Sequence, residues 1–141
     1  MIRAAKISDI AAIATAEKRY IECAWTERQL LDAFESDMYS FYIDEENGVL
    51  RAYGFIQWIA DEGDVCNIAV DPAFRHTGKA TGILKVMEEK AKERNVTRLF
   101  LEVSELNSAA IALYLKNGFR ELYRRANYYG KNAAIVMEKT I

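Results

Sequence analysis

Chemistry is most legible in Val70-Asp71-Pro72-Ala73-Phe74-Arg75-His76-Thr77-Gly78-Lys79-Ala80-Thr81-Gly82, which joins a strand-like apolar stretch to one of helical period through small residues at Gly78, Ala80 and Gly82. A helix start offers backbone N–H groups without intrahelical partners and the positive end of the peptide dipoles. Such a loop can hold a pyrophosphate where no side chain blocks the approach. Arg75, His76 and Lys79 add positive charge nearby. Gly82 falls inside the helical run, where glycine costs about 1 kcal/mol relative to alanine, so close approach of a ligand or a neighbouring strand is its expected reason. A solvent-exposed turn whose glycine relieves strain explains the same residues. The pattern is neither a P-loop, since Ala80 follows Gly78-Lys79, nor a dinucleotide fingerprint opening a parallel sheet near the N-terminus.

Three further residues could act with that loop. Glu102 interrupts Leu99-Phe100-Leu101-Glu102-Val103, a strand expected to be buried on both faces and therefore continuously apolar. Its carboxylate either ends the strand, reaching solvent or a lysine, or stands in a polar cleft with work to do. Asn107 opens Asn107-Ser108-Ala109-Ala110 and reads first as a helix N-cap, and Tyr114 reads first as one more aromatic on an apolar face.

The elements that position these residues follow from periodicity. A short strand at residues 2–7 precedes a helix capped by Ser8-Asp9 and carrying Ile10, Ile13, Ala14 and Ala16. Thr26 and Gln29 form a capping box for a second helix, with Trp25 before the cap able to pack on Leu30. Extended segments at 39–43, 49–59 and 65–70 are separated by Asn47-Gly48 and by a polar turn at 61–64, giving an antiparallel meander that Asp71-Pro72 ends. A helix at 80–94 buries Ile83, Leu84, Met87 and Ala91 on one face, a strand follows at 99–103, and a helix at 107–116 stops at Asn117-Gly118. Strands at 119–125 and 133–138 flank a loop at 127–132. The strand–helix–strand unit from 65 to 103 places two parallel strands side by side in an otherwise antiparallel sheet, which makes a mixed α/β layer.

Bulk properties narrow the function classes. The 141 residues suit one domain over residues 1–141, with one core and one cleft. With 19 basic residues interspersed among 21 acidic ones and a net charge of -2, no basic face for nucleic acid is expected. No apolar run reaches the length of a membrane span and the start lacks a secretory signal's apolar core, so a cytosolic protein is expected. Cys23 and Cys66 lack CxxC spacing and only His76 could join them, so no metal site is expected and both cysteines read as reduced.

Arg75-His76-Thr77-Gly78-Lys79-Ala80 resembles the R/Q-x-x-G-x-G/A signature of the GNAT acetyltransferases, and Asn67-Ile68-Ala69-Val70-Asp71-Pro72 resembles the strand before it. His76 stands where arginine is frequent. Leu101-Glu102-Val103, Asn107, Ala110-Ile111, Leu113-Tyr114 and Gly118-Phe119, with Ala24-Trp25-Thr26-Glu27 and Asn127-Tyr128-Tyr129, resemble the RimI-type ribosomal-protein N-terminal acetyltransferases, over nearly the whole chain. The resemblance implies a GNAT fold of about seven strands and four helices, with acetyl-CoA as cofactor. The backbone N–H groups of His76, Thr77, Gly78, Lys79, Ala80 and Thr81 would bind the pyrophosphate beside Arg75. The main chain of Ile68, Ala69 and Val70 would pair with the pantetheine amides like an added strand. Asn107 would contact the CoA arm, Glu102 would accept a proton and Tyr114 would donate one. Trp25, Asn67, Tyr128 and Tyr129 would meet the acceptor, a protein N-terminus and plausibly a small-subunit ribosomal protein's alanine. The subgroup usually carries an acidic pair after the glycine at 130, where this chain has Lys131-Asn132. A GNAT acting on lysine or a small amine, and a CoA-binding module without turnover, are the competing readings. A monomer or weak homodimer is expected.

Overall fold

The computed structural model describes the backbone of residues 1–129 and 132–141, and the side chains of 1–126 and 132–141. In chain order the elements are β1 (Ile2–Ala4), a 3-10 turn (Ile7–Asp9), α1 (Ile10–Tyr20), α2 (Glu27–Phe34), β2 (Tyr39–Glu46), β3 (Val49–Ile59) and β4 (Glu62–Val70). There follow a second 3-10 turn (Pro72–Phe74), α3 (Lys79–Glu93), β5 (Arg98–Ser104), α4 (Ser108–Lys116), β6 (Arg120–Tyr129) and β7 (Asn132–Thr140). All the strands join one sheet in the order β1-β2-β3-β4-β5-β7-β6, antiparallel except for β4 beside β5. The expected mixed sheet and its parallel pair are therefore both present.

Alternation along the strands sorts the core into two layers. Phe41, Ile43, Tyr53 and Phe55 pack under α1 and α2 with Ile10, Ile13 and Leu30. Tyr42, Ile56, Trp58, Leu99, Leu101 and Val103 point the other way, under α3 and α4 with Ile83, Leu84, Met87 and Tyr114. At Gly54 α3 lies close against the sheet: a Cβ there would stand 2.7 Å from Ile83 Cγ2. Gly82 answers to a neighbouring strand, because a Cβ would meet Ile2 Cδ1 of β1 at 2.6 Å.

One irregularity matters more than the rest. Phe55 pairs with Asn67 and Ile56 with Val65, so Cys66 is an extra residue in β4, a β-bulge. The bulge reverses the alternation: Val65 and Ile68 both face α3, whereas Asp64, Cys66, Asn67 and Ala69 face α1 and α2. The β4–β5 ladder ends at the same place, with Val65 opposite Leu101, although β4 continues to Val70 and β5 to Ser104. Past that point the two strands part.

Four local expectations are corrected. Residues 5–7 leave the first strand, and Asp9 does not cap α1: its carboxylate accepts from the Lys6 N–H at 2.7 Å and from Arg3, fixing the 3-10 turn instead. The polar turn at 61–64 is shorter than its composition suggests, since Ala60 (φ 53°) and Asp61 alone join β3 to β4 and Asp64 is part of the strand. β5 is buried on one face only, leaving Phe100, Glu102 and Ser104 half-buried on the other. The loop at 127–132 contracts as well, because β6 runs to Tyr129 and β7 starts at Asn132.

The capping box of α2 forms as the sequence dictates, Gln29 N–H donating to Thr26 Oγ1 at 3.1 Å and Thr26 N–H to Gln29 Oε1 at 2.9 Å. Thr26→Ala is expected to lower unfolding free energy by about 1 kcal/mol in urea denaturation, without changing the fold.

Candidate functional site

Where β4 and β5 part, a cleft of about 930 Å³ opens through the sheet. Val65, Cys66, Asn67 and Ile68 line one wall, Leu101, Glu102, Val103 and Ser104 the other; Asn107, Ala110 and Tyr114 reach it from α4, and Ile21, Glu22, Cys23 and Trp25 from the α1–α2 connection. The lining of the cleft comes from both faces of the sheet. Glu102 belongs to the face that carries α1 and α2, and Tyr114 enters from the α3–α4 layer. A carboxylate and a phenol thus address one space from opposite sides of one sheet.

Glu102 settles between its two sequence readings as a cleft residue that is also ion-paired: its Oε1 lies 3.2 Å from Arg125 Nη1 of β6. Tyr114 is 9% exposed and packs edge-on against Phe119, with ring centroids 5.8 Å apart. Burial pushes its phenol up to about 12, so it is protonated at neutral pH. Asn107 does cap α4, its Oδ1 accepting from Ala110 N–H at 3.1 Å, which leaves its amide nitrogen as the half that could meet a ligand.

The loop after β4 is shaped by backbone rather than side chains. His76 (φ 64°) and Gly78 (φ 79°) are both left-handed, and α3 starts at Lys79 without a side-chain cap hydrogen bond. A non-glycine residue in that region is uncommon and costs about 1 kcal/mol or more, so His76 is held there by its surroundings. The first-turn N–H groups of α3 are consequently available to an anion. Lys79 departs from expectation in its side chain, whose ammonium lies 3.4 Å from Asp44 Oδ2, beside Arg51, so that its contribution to the loop is its N–H. Thr81 Oγ1 accepts from Asn117 Nδ2 at 3.2 Å, tying the start of α3 to the end of α4.

The family model for the acetyltransferase (GNAT) family matches residues 6–119. The chain belongs to the GNAT acetyltransferases. This GNAT chain is 34% identical to the ribosomal protein bS18-alanine N-acetyltransferase of Escherichia coli strain K12, over 96% of this chain and 94% of that one. It is 29% identical to the putative ribosomal protein bS18-alanine N-acetyltransferase of Bacillus subtilis strain 168, over 99% and 95% of the two chains. The crystal structure of the Escherichia coli ribosomal-protein-S18-alanine N-acetyltransferase superposes with a TM-score of 0.90 at 32% identity, covering 100% of this chain and 93% of that one. The PaiA N-acetyltransferase of Thermoplasma acidophilum, solved with coenzyme A, shares the fold with a TM-score of 0.84 at 18% identity, over 100% and 98%.

The GNAT cleft fits an extended thioester ligand on its own geometry: an unpaired strand edge along Ile68 to Val70 leads to the uncapped start of α3. Of the residues expected to meet the acceptor, Trp25 and Asn67 do line this cleft, while Tyr128 and Tyr129 carry side chains outside the described residues. Asn67 Nδ2 donates to Glu17 at 2.9 and 3.1 Å, and Trp25 N–H donates to the same carboxylate at 3.0 Å. Trp25 stacks edge-on against Phe55 at 5.0 Å.

Two carboxylates at the cleft were not singled out as site residues from the sequence, although Asp61, Glu62 and Asp64 together could have been read as attracting a basic peptide. Glu17, fully buried in α1, accepts from Tyr53 Oη at 2.5 Å as well as from Asn67 and Trp25, and desolvation raises its carboxyl above the ordinary range. An acidic residue on the apolar face beside Ile13, Ala14 and Ala16 was the signal for it. Asp64 lines the cleft with its carboxyl pushed up to about 6 by burial and by Glu102, and it was hidden by the reading of 61–64 as a surface turn. The two cysteines are free, and no group of three or more His, Cys, Asp or Glu able to hold a metal exists among the described residues.

Burial and Asp64 push the Cys66 thiol up to about 12, whereas Cys23 is exposed. Mass spectrometry after iodoacetamide treatment is expected to find Cys23 alkylated at least about tenfold faster than Cys66, since the thiolate is the reactive form.

Proposed function

We propose that this GNAT chain transfers the acetyl group of acetyl-CoA to a protein N-terminal α-amine, the substrate being the N-terminal alanine of a small-subunit ribosomal protein. The supporting observation is the cleft through the sheet, with Glu102 on the acceptor face and Tyr114 on the other. The relatives named for acetylating the alanine of bS18 support the acceptor. An acceptor made on the ribosome places the enzyme in the cytoplasm.

Acetyl-CoA supplies an activated acyl group as a thioester. Around it, the N–H groups of His76 through Thr81 hold the pyrophosphate at the positive end of α3, and the parted edge of β4 pairs with the amides of the arm. An N–H on β4 polarises the acyl carbonyl. Glu102 takes a proton from the attacking nitrogen. An α-amine, with a pKa of about 8 against roughly 10.4 for lysine, is neutral more often by over a hundredfold at pH 7, worth about 3 kcal/mol. A carboxylate already paired with Arg125 can serve such an acceptor better than it can serve a lysine.

Tyr114 donates to the departing sulfur. A phenol at about 12 matches poorly with a thiolate in water, where a thiol titrates near 8.5, but the cleft changes both partners. Burial raises the proton affinity of a thiolate released beside Tyr114 as it raises that of the phenolate. Desolvation therefore aligns the two proton affinities.

Two tests follow. Tyr114→Phe is expected to cut turnover by about 10²-fold or more while coenzyme A affinity by calorimetry changes less than about threefold; unchanged turnover removes Tyr114 as the acid. Gly78→Val, which places a β-branched residue at φ 79°, is expected to weaken coenzyme A binding by about tenfold or more in the same calorimeter. The acceptor is decided by thiol release over a panel of peptides and free amines: acetylation of polyamines or lysine without peptide overturns the α-amine assignment, and binding without release overturns turnover itself.

A further inference from the structure

We propose that Asp64 is the proton-holding partner of Glu102, keeping the proton that Glu102 removes from the acceptor amine. This rests on the role of Glu102 given above.

The geometry begins with the register of the parallel pair. Asp64 stands opposite Phe100, and Glu102 lies two residues further along β5 on the same face, under the α1–α2 layer. Both carboxylates line the cleft, and both also line a second hollow of about 290 Å³ that continues from it over Phe100, Ile59 and Tyr123. Asp64 is thus placed at the junction, on the last rungs before β4 and β5 part. Its carboxylate accepts no hydrogen bond from the other described residues, yet neither carboxylate oxygen is buried without a partner, so the carboxylate opens to the cleft.

The two carboxylates are inequivalent. Glu102 has a cationic partner, Arg125 Nη1 lying 3.2 Å from its Oε1. Asp64 is desolvated and feels the negative charge of Glu102, with Arg125 opposing more weakly. Also facing this corner are Tyr39 from β2, Cys66 and Glu62 from β4, and Tyr123 from β6. Two like charges on one small site favour a shared proton, and the environment directs it to Asp64. The transfer balances: nitrogen forms its bond to the acyl carbon and loses a proton to Glu102, Glu102 passes that proton to Asp64 and is again a carboxylate, and the departing sulfur is protonated from Tyr114. Asp64 acts through Glu102 and is therefore a positioning residue for the proton.

The experiment measures kcat/KM for an acceptor peptide against pH in the wild type, Asp64→Asn and Asp64→Glu, together with the titration of Asp64 by carboxyl carbon NMR in the wild type and Glu102→Gln. In the wild type kcat/KM is expected to fall with unit slope below about pH 8 as the acceptor amine protonates, and to steepen to a slope of two below about pH 6, where Asp64 already holds its proton. Asp64→Asn should lower the plateau by about tenfold and abolish the second break near pH 6, leaving KM for acetyl-CoA unchanged, while Asp64→Glu should recover most of the loss. The Asp64 resonance should titrate near 6 and move down in Glu102→Gln. A pH profile of Asp64→Asn superimposable on the wild type overturns the proposal, as does an Asp64 titration unmoved by Glu102→Gln; the NMR result decides even if the Asn variant proves unstable. A wild type inactive on every peptide but with coupled titrations sinks the acceptor assignment instead, so the two failures are distinct.

Discussion

The molecule turns on the place where hydrogen bonding between β4 and β5 stops. Cys66 adds one residue to β4 opposite the Phe55–Ile56 step, and beyond Val65 the parallel pair no longer closes. A sheet interior that would otherwise be a continuous ladder thereby acquires an opening with unpaired backbone on its rim. That opening is costly in an interior, because backbone groups removed from water need partners. A ligand with amides of its own is the natural partner. The same bulge turns Asn67 toward α1 while Ile68 still fills the layer below α3, so the wall facing the acceptor and the packing of the core are set by one insertion.

Around that gap, each charged group is restrained by a neighbour that changes its chemistry. Arg125 pairs with Glu102, burial holds the proton on Tyr114, and Asp44 pairs with both Lys79 and Arg51 beside the loop before α3. The positive character of that loop consequently comes chiefly from backbone N–H groups and from the exposed Arg75. A loop built this way depends less on lysine side chains than the sequence suggests.

The order of elements, the parallel pair, the capping box of α2 and the loop at 75–81 were all legible in the sequence, because each is written locally in period, cap or glycine placement. Glu102, Asn107 and Tyr114 were legible as candidates, and their convergence on one cleft appears only in the fold. The bulge at Cys66 was not legible, since a single extra residue in an apolar strand leaves no mark on composition. Asp64 was misplaced for a related reason. Its neighbours Asp61, Glu62 and Gly63 look like turn residues, and only the two-residue Ala60–Asp61 connection returns it to the strand. Glu17 was passed over because a helix pattern records which residues face inward and says nothing of what a buried carboxylate would find there.

Glu17 carries a consequence of its own. One carboxylate gathers the hydroxyl of Tyr53 on β3, the amide of Asn67 on β4 and the N–H of Trp25 ahead of α2. The α1–α2 connection, β3 and the cleft-lining part of β4 are therefore riveted together. Losing any one of the three donors leaves a buried carboxylate short of a partner, so a substitution at Tyr53 or Asn67 is felt in the α1–α2 connection as well as in its own strand.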